Sequence, residues 1–205
     1  MLPQQRIILL DPSESFITCG DVKMNLLDSG VNFYVLKEKW WDWGSGDIYD
    51  RAGVTIGKMH RRVLSLRALT EVTESDGTVV FTVNKKLVSI RPSYMLKDAD
   101  GNLLGRTNRK ILTLFRPKLW LENENGEKLL EAQGNFLGRD FQVKDMHGSS
   151  KARIGKSDFF KDLLLGETMF DFADTYAVQI QDPSYDKRLL LGFVIAIDNS
   201  VHDDD

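Results

Sequence analysis

The residues Asp98-Ala99-Asp100-Gly101 show the pattern that decides the fold, in which an acidic residue or an asparagine stands three positions before a glycine. The pattern recurs at four other places in the chain: Asp50-Arg51-Ala52-Gly53, Glu74-Ser75-Asp76-Gly77, Asn123-Glu124-Asn125-Gly126 and Asp145-Met146-His147-Gly148. From Gly53 to Gly148, successive glycines of the pattern are separated by 24, 24, 25 and 22 residues. A period this regular indicates a structural repeat.

Each copy of the pattern predicts a hairpin turn. An Asp or Asn that opens a turn can accept a hydrogen bond from the backbone two residues later, and Gly tolerates the positive φ that closes it. Segments rich in β-formers lie between the turns: Thr78–Val83, Ile111–Phe115 and Phe141–Lys144. Two strands of ordinary length and their connections account for a period of about 24 residues.

Five such units, and a sixth that ends at Tyr176–Ile180, predict about ten to twelve antiparallel strands in up-and-down order. Sheets of that size usually curl and close, which removes their exposed edges. We therefore expect a mostly β fold with a closed antiparallel barrel and no internal domain boundary. The segment Ser157–Phe172 breaks the rhythm and is interpreted as an insertion with one short helix at Asp158–Leu165.

The apolar run Leu189–Ile197 near the end of the chain allows two interpretations. Asp182 followed by Pro183 is typical of a helix N-terminus, and a helix that is apolar all round must be buried on every side. A barrel of this strand count is wide enough to enclose one. A buried central strand fits the same residues. At nine residues the run is about half the length of a membrane-spanning helix, so no transmembrane segment is predicted.

Four segments of the chain resemble the LURP-one-related family, which belongs with tubby C-terminal domains and phospholipid scramblases. They are Lys58–Leu64, Lys86–Ile90, Gly134–Phe141 and Leu191–Asp198. The resemblance implies a barrel of about twelve strands that encloses a hydrophobic C-terminal α-helix. It assigns one domain to residues 1–205, with the barrel at about 25–181, the central helix at about 183–199 and an acidic tail at 200–205. Because the motifs are diffuse, they specify the fold better than the activity.

The scramblase-like and tubby-like activities do not follow from the resemblance. Scramblases carry an acidic calcium-binding segment and clustered cysteines, whereas this chain has one cysteine, Cys19. Tubby proteins carry a long N-terminal regulatory region that this sequence does not show. LURP-one-related proteins are themselves linked to plant defence, which gives the expectation of a stress or signalling role.

Two basic stretches without acidic residues are the candidate binding site for lipid or phosphate. They fall within Arg51–Thr70 and Leu104–Trp120, and the candidates are Lys58, Arg61, Arg62, Arg106, Arg109, Lys110, Arg116 and Lys118. Clustered Arg and Lys side chains can hold a lipid phosphate through charge-assisted hydrogen bonds. The alternative is that these side chains point outward simply because the inward ones fill the core.

Three of the four tryptophans, Trp40, Trp41 and Trp43, fall within four residues. In a strand, Trp41 and Trp43 share one face, so they are candidates for binding a protein partner. Ordinary packing of these side chains in the barrel is the alternative.

No catalytic site, metal site or cofactor is predicted. His60, His147 and His202 do not have the spacing of zinc ligands, and Cys19 lacks the sequence context of a nucleophile. We therefore expect a non-enzymatic binding or membrane-tethering module that recognises anionic lipid head groups. The alternatives are a protein-interaction scaffold that uses Trp40–Trp43 and, more weakly, an enzyme on a barrel scaffold.

Composition and charge limit the partners and the location. The net charge of −3 and the pI near 5.7 argue against a nucleic-acid binder. A lone cysteine suits a reducing compartment, and the N-terminus does not read as a signal peptide. We expect a monomer in the cytoplasm, with a peripheral membrane or nuclear location as the alternatives, and an anionic phospholipid or a protein as the partner.

Overall fold

A computed structural model describes residues 24–39, 42–64, 67–85, 93–110, 118–136, 140–156 and 175–202. Within them the chain forms twelve strands and one helix. The strands are β1 Phe33–Lys39, β2 Asp42–Tyr49, β3 Thr55–Leu64, β4 Arg67–Glu74, β5 Val79–Lys85, β6 Tyr94–Asp98, β7 Leu103–Lys110, β8 Lys118–Glu122, β9 Lys128–Asn135, β10 Asp140–Asp145, β11 Ser150–Lys156 and β12 Thr175–Ile180. The helix is α1, Lys187–His202.

The twelve strands form a closed barrel. Each strand pairs antiparallel with the next one along the chain, and β12 pairs with β1 to complete the ring. At this closing seam Val35 lies opposite Ala177, and Phe33 lies opposite Gln179. The predicted mostly β fold and its closed antiparallel barrel are confirmed.

The five Gly-containing turns have the same backbone geometry. In the turn that begins at Asp98, the backbone N–H of Asp98 donates to the carbonyl of Asn102 at 3.0 Å, and that of Gly101 donates to the carbonyl of Asp98 at 3.1 Å. Equivalent bonds close the other four turns. The five glycines have φ values between 81° and 93°, which favours Gly. The predicted hairpin turns are confirmed.

A β-bulge follows every one of these turns at the same place. In the third hairpin Leu96 pairs with Gly105 and Lys97 with Leu103, so Leu104 is the extra residue. The equivalent residues stand three positions after the turn glycine: Ile56, Val80, Leu129 and Lys151. Bulges increase the local twist and bend of a sheet, so their repetition around the wall favours closure. The five turns lie together at what we call the hairpin end of the barrel.

The second turn differs from the others because it opens with Glu74 rather than Asp or Asn. Its carboxylate accepts a hydrogen bond from the backbone N–H of Leu26 at 2.8 Å, outside the turn. Leu26 is fully buried, and its carbonyl accepts a hydrogen bond from the Tyr34 hydroxyl at 2.9 Å. Glu74 and Tyr34 thus fix the segment before β1, residues 24–31, to the hairpin end.

A buried lysine fastens the same segment to the helix. The Lys187 ammonium donates to the carbonyl of Val31 at 2.5 Å and to the carbonyl of Asp28. Lys187 is 5% exposed, and burial lowers its pKa. The first residue of α1 therefore satisfies two backbone acceptors of the segment 24–31.

The helix begins later than the sequence predicts, at Lys187 rather than at Pro183. Asp186 is the N-cap, because its carboxylate accepts a hydrogen bond from the backbone N–H of Arg188 at 2.9 Å. Asp182 instead opens a turn, since its carbonyl accepts a hydrogen bond from the N–H of Tyr185 at 3.1 Å. The predicted range of about 183–199 is thus displaced toward the C-terminus, to 187–202.

Lys151 joins this turn to the barrel wall. Its ammonium donates to the Asp182 carboxylate at 2.8 Å and lies 3.1 Å from the Asp145 carboxylate. Bonds from Lys151 and Ser184 lower the pKa of Asp182 to about 2, and the two carboxylates raise the pKa of Lys151. Lys151 is the bulge residue of its hairpin, where the other four hairpins have an apolar residue.

The barrel encloses α1, as the sequence predicts. At about 1.5 Å per residue, its 16 residues extend about 24 Å from the hairpin end toward the opposite end. Five apolar side chains expected to be buried are at most 1% exposed: Leu190, Leu191, Phe193, Val194 and Ile197. The helix backbone lies nearest β5, β6 and β7, where Gly192 faces Leu96. The predicted strand Ile111–Phe115 and the insertion Ser157–Phe172, with its helix at Asp158–Leu165, lie outside the described residues.

Candidate functional site: a cationic rim

The end of the barrel opposite the turns, which we call the loop end, carries several basic residues. Basic residues are the last residues of four strands there: Lys39, Lys85, Lys110 and Lys156. Two other strands begin at this end with an aspartate, β2 with Asp42 and β10 with Asp140. Both signs of charge also occur near the hairpin end, where acidic residues stand in or beside the turns: Asp50, Glu74, Asp76, Asp98, Asp100, Glu124 and Asp145.

The repeat brings four of the cations at the loop end to equivalent positions. Eight residues after the turn glycine, four of the five hairpins have a basic residue: Arg61 on β3, Lys85 on β5, Arg109 on β7 and Lys156 on β11. We call these four residues the cationic rim.

The register places the cationic rim in the interior row of the wall. The residues directly opposite are Thr70 for Arg61, Tyr94 for Lys85, Leu119 for Arg109 and Tyr176 for Lys156. All four opposite residues are buried, at 1%, 1%, 5% and 2% exposure. Residues directly opposite each other in an antiparallel pair lie on the same face of a sheet. The rim positions therefore belong to the row that surrounds the helix, at the mouth of the barrel.

The fourth hairpin has Gly134 at the rim position, for a steric reason. Gly134 has a φ of 145°, which L side chains rarely adopt. A Cβ atom there would lie 2.5 Å from the Cα of Phe141 on β10. The two backbones approach so closely that no side chain fits, and the rim is interrupted on β9.

The C-terminal end of α1 lies beside the rim. The side-chain amide of Asn199 donates to the Thr70 hydroxyl at 3.3 Å, and Thr70 is the register partner of Arg61. The backbone N–H of Arg61 donates to the buried Ser45 hydroxyl at 2.8 Å. The last turn of a helix carries a partial negative charge and carbonyls without intrahelical donors. The rim position on β3 therefore lies beside a helix end that carries a partial negative charge.

The spacing of the rim limits the anions that it can hold. β3, β5 and β7 are each separated by one intervening strand. With strands about 4.8 Å apart, neighbouring rim positions stand about 10 Å apart along the wall. Lys and Arg side chains are long enough to meet between such positions. The arrangement therefore suits an anion with several charged groups, or several head groups side by side.

The other predicted basic residues are divided between the wall and the loop end. Arg62 forms an ion pair with Glu71 at 3.1 Å on the outer surface, and Lys118 lies 3.8 Å from Glu131. Lys110 and Lys118 face each other in the register at the loop end of β7 and β8.

Two predicted residues lie away from the rim, and one is not described. Lys58 is half-buried on β3, in register with Thr73. Arg106 lies in the middle of β7, and its Nε atom is buried and makes no hydrogen bond within the described residues. Arg116 lies outside the described residues.

Sequence reasoning missed Lys85 and Lys156. Neither residue lies in the two basic stretches that were singled out, Arg51–Thr70 and Leu104–Trp120. The signal that could have found them is their position eight residues after Gly77 and Gly148, the same interval that separates Arg61 and Arg109 from their turns.

The predicted aromatic site cannot be placed, whereas a different tryptophan can. Trp40 and Trp41 lie outside the described residues, and only the backbone of Trp43, in β2, is described. Trp120, by contrast, is half-buried on β8, where its indole N–H donates to Glu122 and the Lys128 ammonium lies 4.6 Å above its ring. Trp120 stands between Leu119 and Leu121, which are buried, and side chains alternate between the two faces of a strand. This alternation in the sequence could have predicted that the Trp120 side chain points outward.

Within the described residues, no group of three or more His, Cys, Asp or Glu side chains could hold a metal ion. Nor does this part of the chain contain a helix that is long and apolar enough to cross a membrane.

Comparisons with known proteins agree with the fold. A family model described as LURP-one-related matches residues 31–198. The crystal structure of a protein from Arabidopsis thaliana is similar, with a TM-score of 0.56 and 16% sequence identity, over 84% of this chain and 96% of the other. At this identity the likeness concerns the fold alone. A search of curated proteins gives no match.

Proposed function

The chain belongs to the LURP-one-related family, and on that basis we propose that it is a non-enzymatic binding module whose cationic rim engages anionic lipid head groups. The observation that carries the proposal is the recurrence of a cation at the same interior register position in four of the five hairpins. Each isolated cation could be explained by solubility, but solubility does not favour cations in the interior row.

Membrane electrostatics supports the proposal in magnitude. Each Lys or Arg held near an anionic membrane surface contributes about 1 kcal/mol to binding. Four rim cations would together contribute about 4 kcal/mol, which is enough for reversible binding at a membrane surface but not for permanent anchoring. The protein would then be peripheral, with the loop end toward the membrane and the hairpin end away from it.

Co-sedimentation with vesicles tests the proposal. The full chain is mixed with vesicles of phosphatidylcholine alone, of phosphatidylcholine with phosphatidylserine, and of phosphatidylcholine with a phosphoinositide. We expect binding to the two anionic preparations, which weakens as salt is added because exposed charges are screened beyond about 10 Å at 0.1 M ionic strength. Stronger binding to the phosphoinositide would indicate that the rim recognises several phosphates at once.

Two matched variants locate the site. The rim variant carries four changes to Gln: Arg61, Lys85, Arg109 and Lys156. The control variant also carries four changes to Gln, at residues nearer the hairpin end: Arg51, Lys97, Lys128 and Lys144. Both changes alter the net charge equally. We expect the rim variant to bind up to roughly three orders of magnitude more weakly, and the control to bind almost as well as the wild type. Equal recovery of the wild type with neutral and anionic vesicles would refute the proposal.

A further inference from the structure

The outer surface of β7 carries an arginine, Arg106, whose charge is incompletely satisfied. The next residue, Thr107, lies opposite Leu121, and both are buried in the interior row. Side chains alternate between the two faces of a strand, so Arg106 lies on the outer face. Its Nε atom is buried and makes no hydrogen bond within the described residues. A buried polar group without a partner costs stability, so the presence of Arg106 calls for a reason other than stability.

The carboxylate nearest to Arg106 in the register is engaged by two other donors. Glu122 lies directly opposite Arg106 on β8. One of its oxygens accepts a hydrogen bond from the indole N–H of Trp120, and the other accepts one from the side-chain amide of Asn108 at 2.5 Å. Glu122 therefore fixes the orientation of the Trp120 ring rather than that of the guanidinium.

Apolar groups flank Arg106 on both sides. Met95 lies directly opposite Arg106 on β6, and Trp120 stands on β8, two residues before Glu122. Met95 and Trp120 are both half-buried on the outer face. Arg, Trp and Met are the residue types that are enriched in protein interfaces relative to the rest of a protein surface. We call Met95, Arg106 and Trp120 the wall patch.

The charges beside the wall patch are mainly positive. Lys97 stands on the same face of β6, and the Lys128 ammonium lies 4.6 Å above the Trp120 ring. Glu131 lies opposite Trp120 on β9, but it is paired with Lys118 at 3.8 Å. Complementary charges favour association, so the wall patch suits an acidic partner.

We propose that the wall patch binds an acidic segment of a partner protein, in which a carboxylate pairs with Arg106 and an adjacent apolar side chain packs against Met95 and Trp120. A carboxylate matches the planar fork of donors that a guanidinium presents. The apolar neighbours favour a protein segment over a phosphate group, which would gain nothing from Met95 or Trp120.

The inference goes beyond the proposed function and does not depend on it. The wall patch lies along the side of the barrel, on the middle of β7 and the strands beside it. A membrane at the loop end would therefore leave the wall patch free, and the two surfaces could be occupied at the same time.

An NMR titration with two synthetic peptides tests the proposal. The acidic probe is acetyl-Glu-Phe-Glu-amide, and the neutral probe is acetyl-Gln-Phe-Gln-amide, which has nearly the same shape without the charges. The signals followed are the side-chain Nε–H of Arg106 and the indole N–H of Trp120. We expect both signals to shift and saturate with the acidic probe, and the neutral probe to bind at least about tenfold more weakly.

Matched variants show whether Arg106 anchors the acidic probe. Arg106→Gln removes the guanidinium, whereas Arg62→Gln removes an outer arginine that already has a partner, Glu71, at 3.1 Å. Measured by the Trp120 indole signal, Arg106→Gln should bind the acidic probe roughly ten- to hundredfold more weakly, and Arg62→Gln should bind it almost as well as the wild type. Arg106→Lys keeps the charge but not the fork, so its affinity should lie between those of the wild type and Arg106→Gln.

Thermal unfolding distinguishes binding from a structural role. Arg106→Gln should unfold at a temperature no lower than the wild type, because the buried Nε atom makes no hydrogen bond that could be lost. A large drop in unfolding temperature together with unchanged binding of the acidic probe would make Arg106 a structural residue and overturn the inference.

Three other results would also overturn the inference. One is the absence of a saturable shift at acidic-probe concentrations up to about 10 mM. Another is equal weakening by Arg106→Gln and Arg62→Gln, which would indicate a general effect of charge. The last is a loss of binding to phosphatidylserine vesicles by Arg106→Gln as large as that of the rim variant, which would assign the wall patch to the lipid-binding surface. Because the titration contains no lipid, failure of the wild type to bind vesicles would refute the proposed function and leave this inference standing.

Discussion

Replacing Gly192 with Ala should destabilise the protein, although Ala is the better helix former. The Cβ of an Ala at this position would lie 2.7 Å from the Cδ2 and 3.0 Å from the Cγ of Leu96, on β6. Carbon atoms in contact normally lie about 3.5–4.0 Å apart. Leu96 is fully buried, and the ring of fully buried Phe81 lies 3.4 Å from the same Cβ, so neither neighbour has free space to move into.

The two contributions to the free energy of unfolding have opposite signs. Gly→Ala in a helix interior stabilises by about 1 kcal/mol, whereas overpacking a filled core costs about 1–3 kcal/mol. We therefore expect Gly192→Ala to lower the free energy of unfolding by about 1 kcal/mol. The variant Leu96→Ala should lower it by about 2–5 kcal/mol, because it leaves a cavity.

A double-mutant cycle isolates the clash. Urea unfolding is followed by tryptophan fluorescence for the wild type, Gly192→Ala, Leu96→Ala and the double variant. If Gly192 is required because α1 lies against β6, the added methyl group should fill part of the cavity. The double variant should then be more stable than additivity predicts, by about 1–2 kcal/mol. Additive effects, or a Gly192→Ala variant more stable than the wild type, would refute the close approach of helix and strand.

Three further predictions concern the hairpin end. Lys187→Met should lower the free energy of unfolding by about 1–3 kcal/mol, because two backbone carbonyls lose a buried donor; thermal unfolding of this variant and of the wild type measures the loss. Glu74→Asp restores the usual first residue of the turn but shortens the side chain, so the backbone amide of Leu26 should exchange faster with deuterium, while amides in the turn should not. The pKa of Asp182 is lowered from 3.8 to about 2, so the contribution of this carboxylate to stability is complete above about pH 4 and is lost as the pH falls through about 2. The difference in stability between the wild type and Lys151→Met should therefore shrink over this pH range, as measured by acid titrations followed by circular dichroism. A difference that stays constant with pH would contradict the prediction.

The turns and the barrel could be predicted because the same four-residue turn sequence recurs at a nearly fixed interval along the chain. In four of the five turns, a side-chain oxygen of the first residue accepts a backbone hydrogen bond; in the turn that begins at Glu74, the third residue, Asp76, does so instead. The fourth residue of every turn must accept a positive φ. These requirements can be read from four consecutive residues. Closure of the barrel could be predicted from the number of turns, because closing a sheet of about twelve strands removes its two unpaired edge strands.

The start of the helix was wrong by four residues because two aspartates offered the same signal. Asp182 before Pro183 is the more usual N-cap pattern, yet Asp186 caps α1. The chain must first turn from the wall at Ile180 into the barrel interior, and Asp182 opens that turn. The need to change direction is a property of the barrel and of the helix position, so the local sequence could not reveal it.

The rim was only partly predictable because it is defined across strands. Arg61 and Arg109 were found in basic stretches, but so were Lys58 and Arg106, which lie elsewhere on the wall. Neighbours in sequence alternate between the two faces of a strand, so a cluster in sequence is divided between the interior and the outside. Residues that meet at the mouth are those at the same distance from their turns, which requires knowledge of the register.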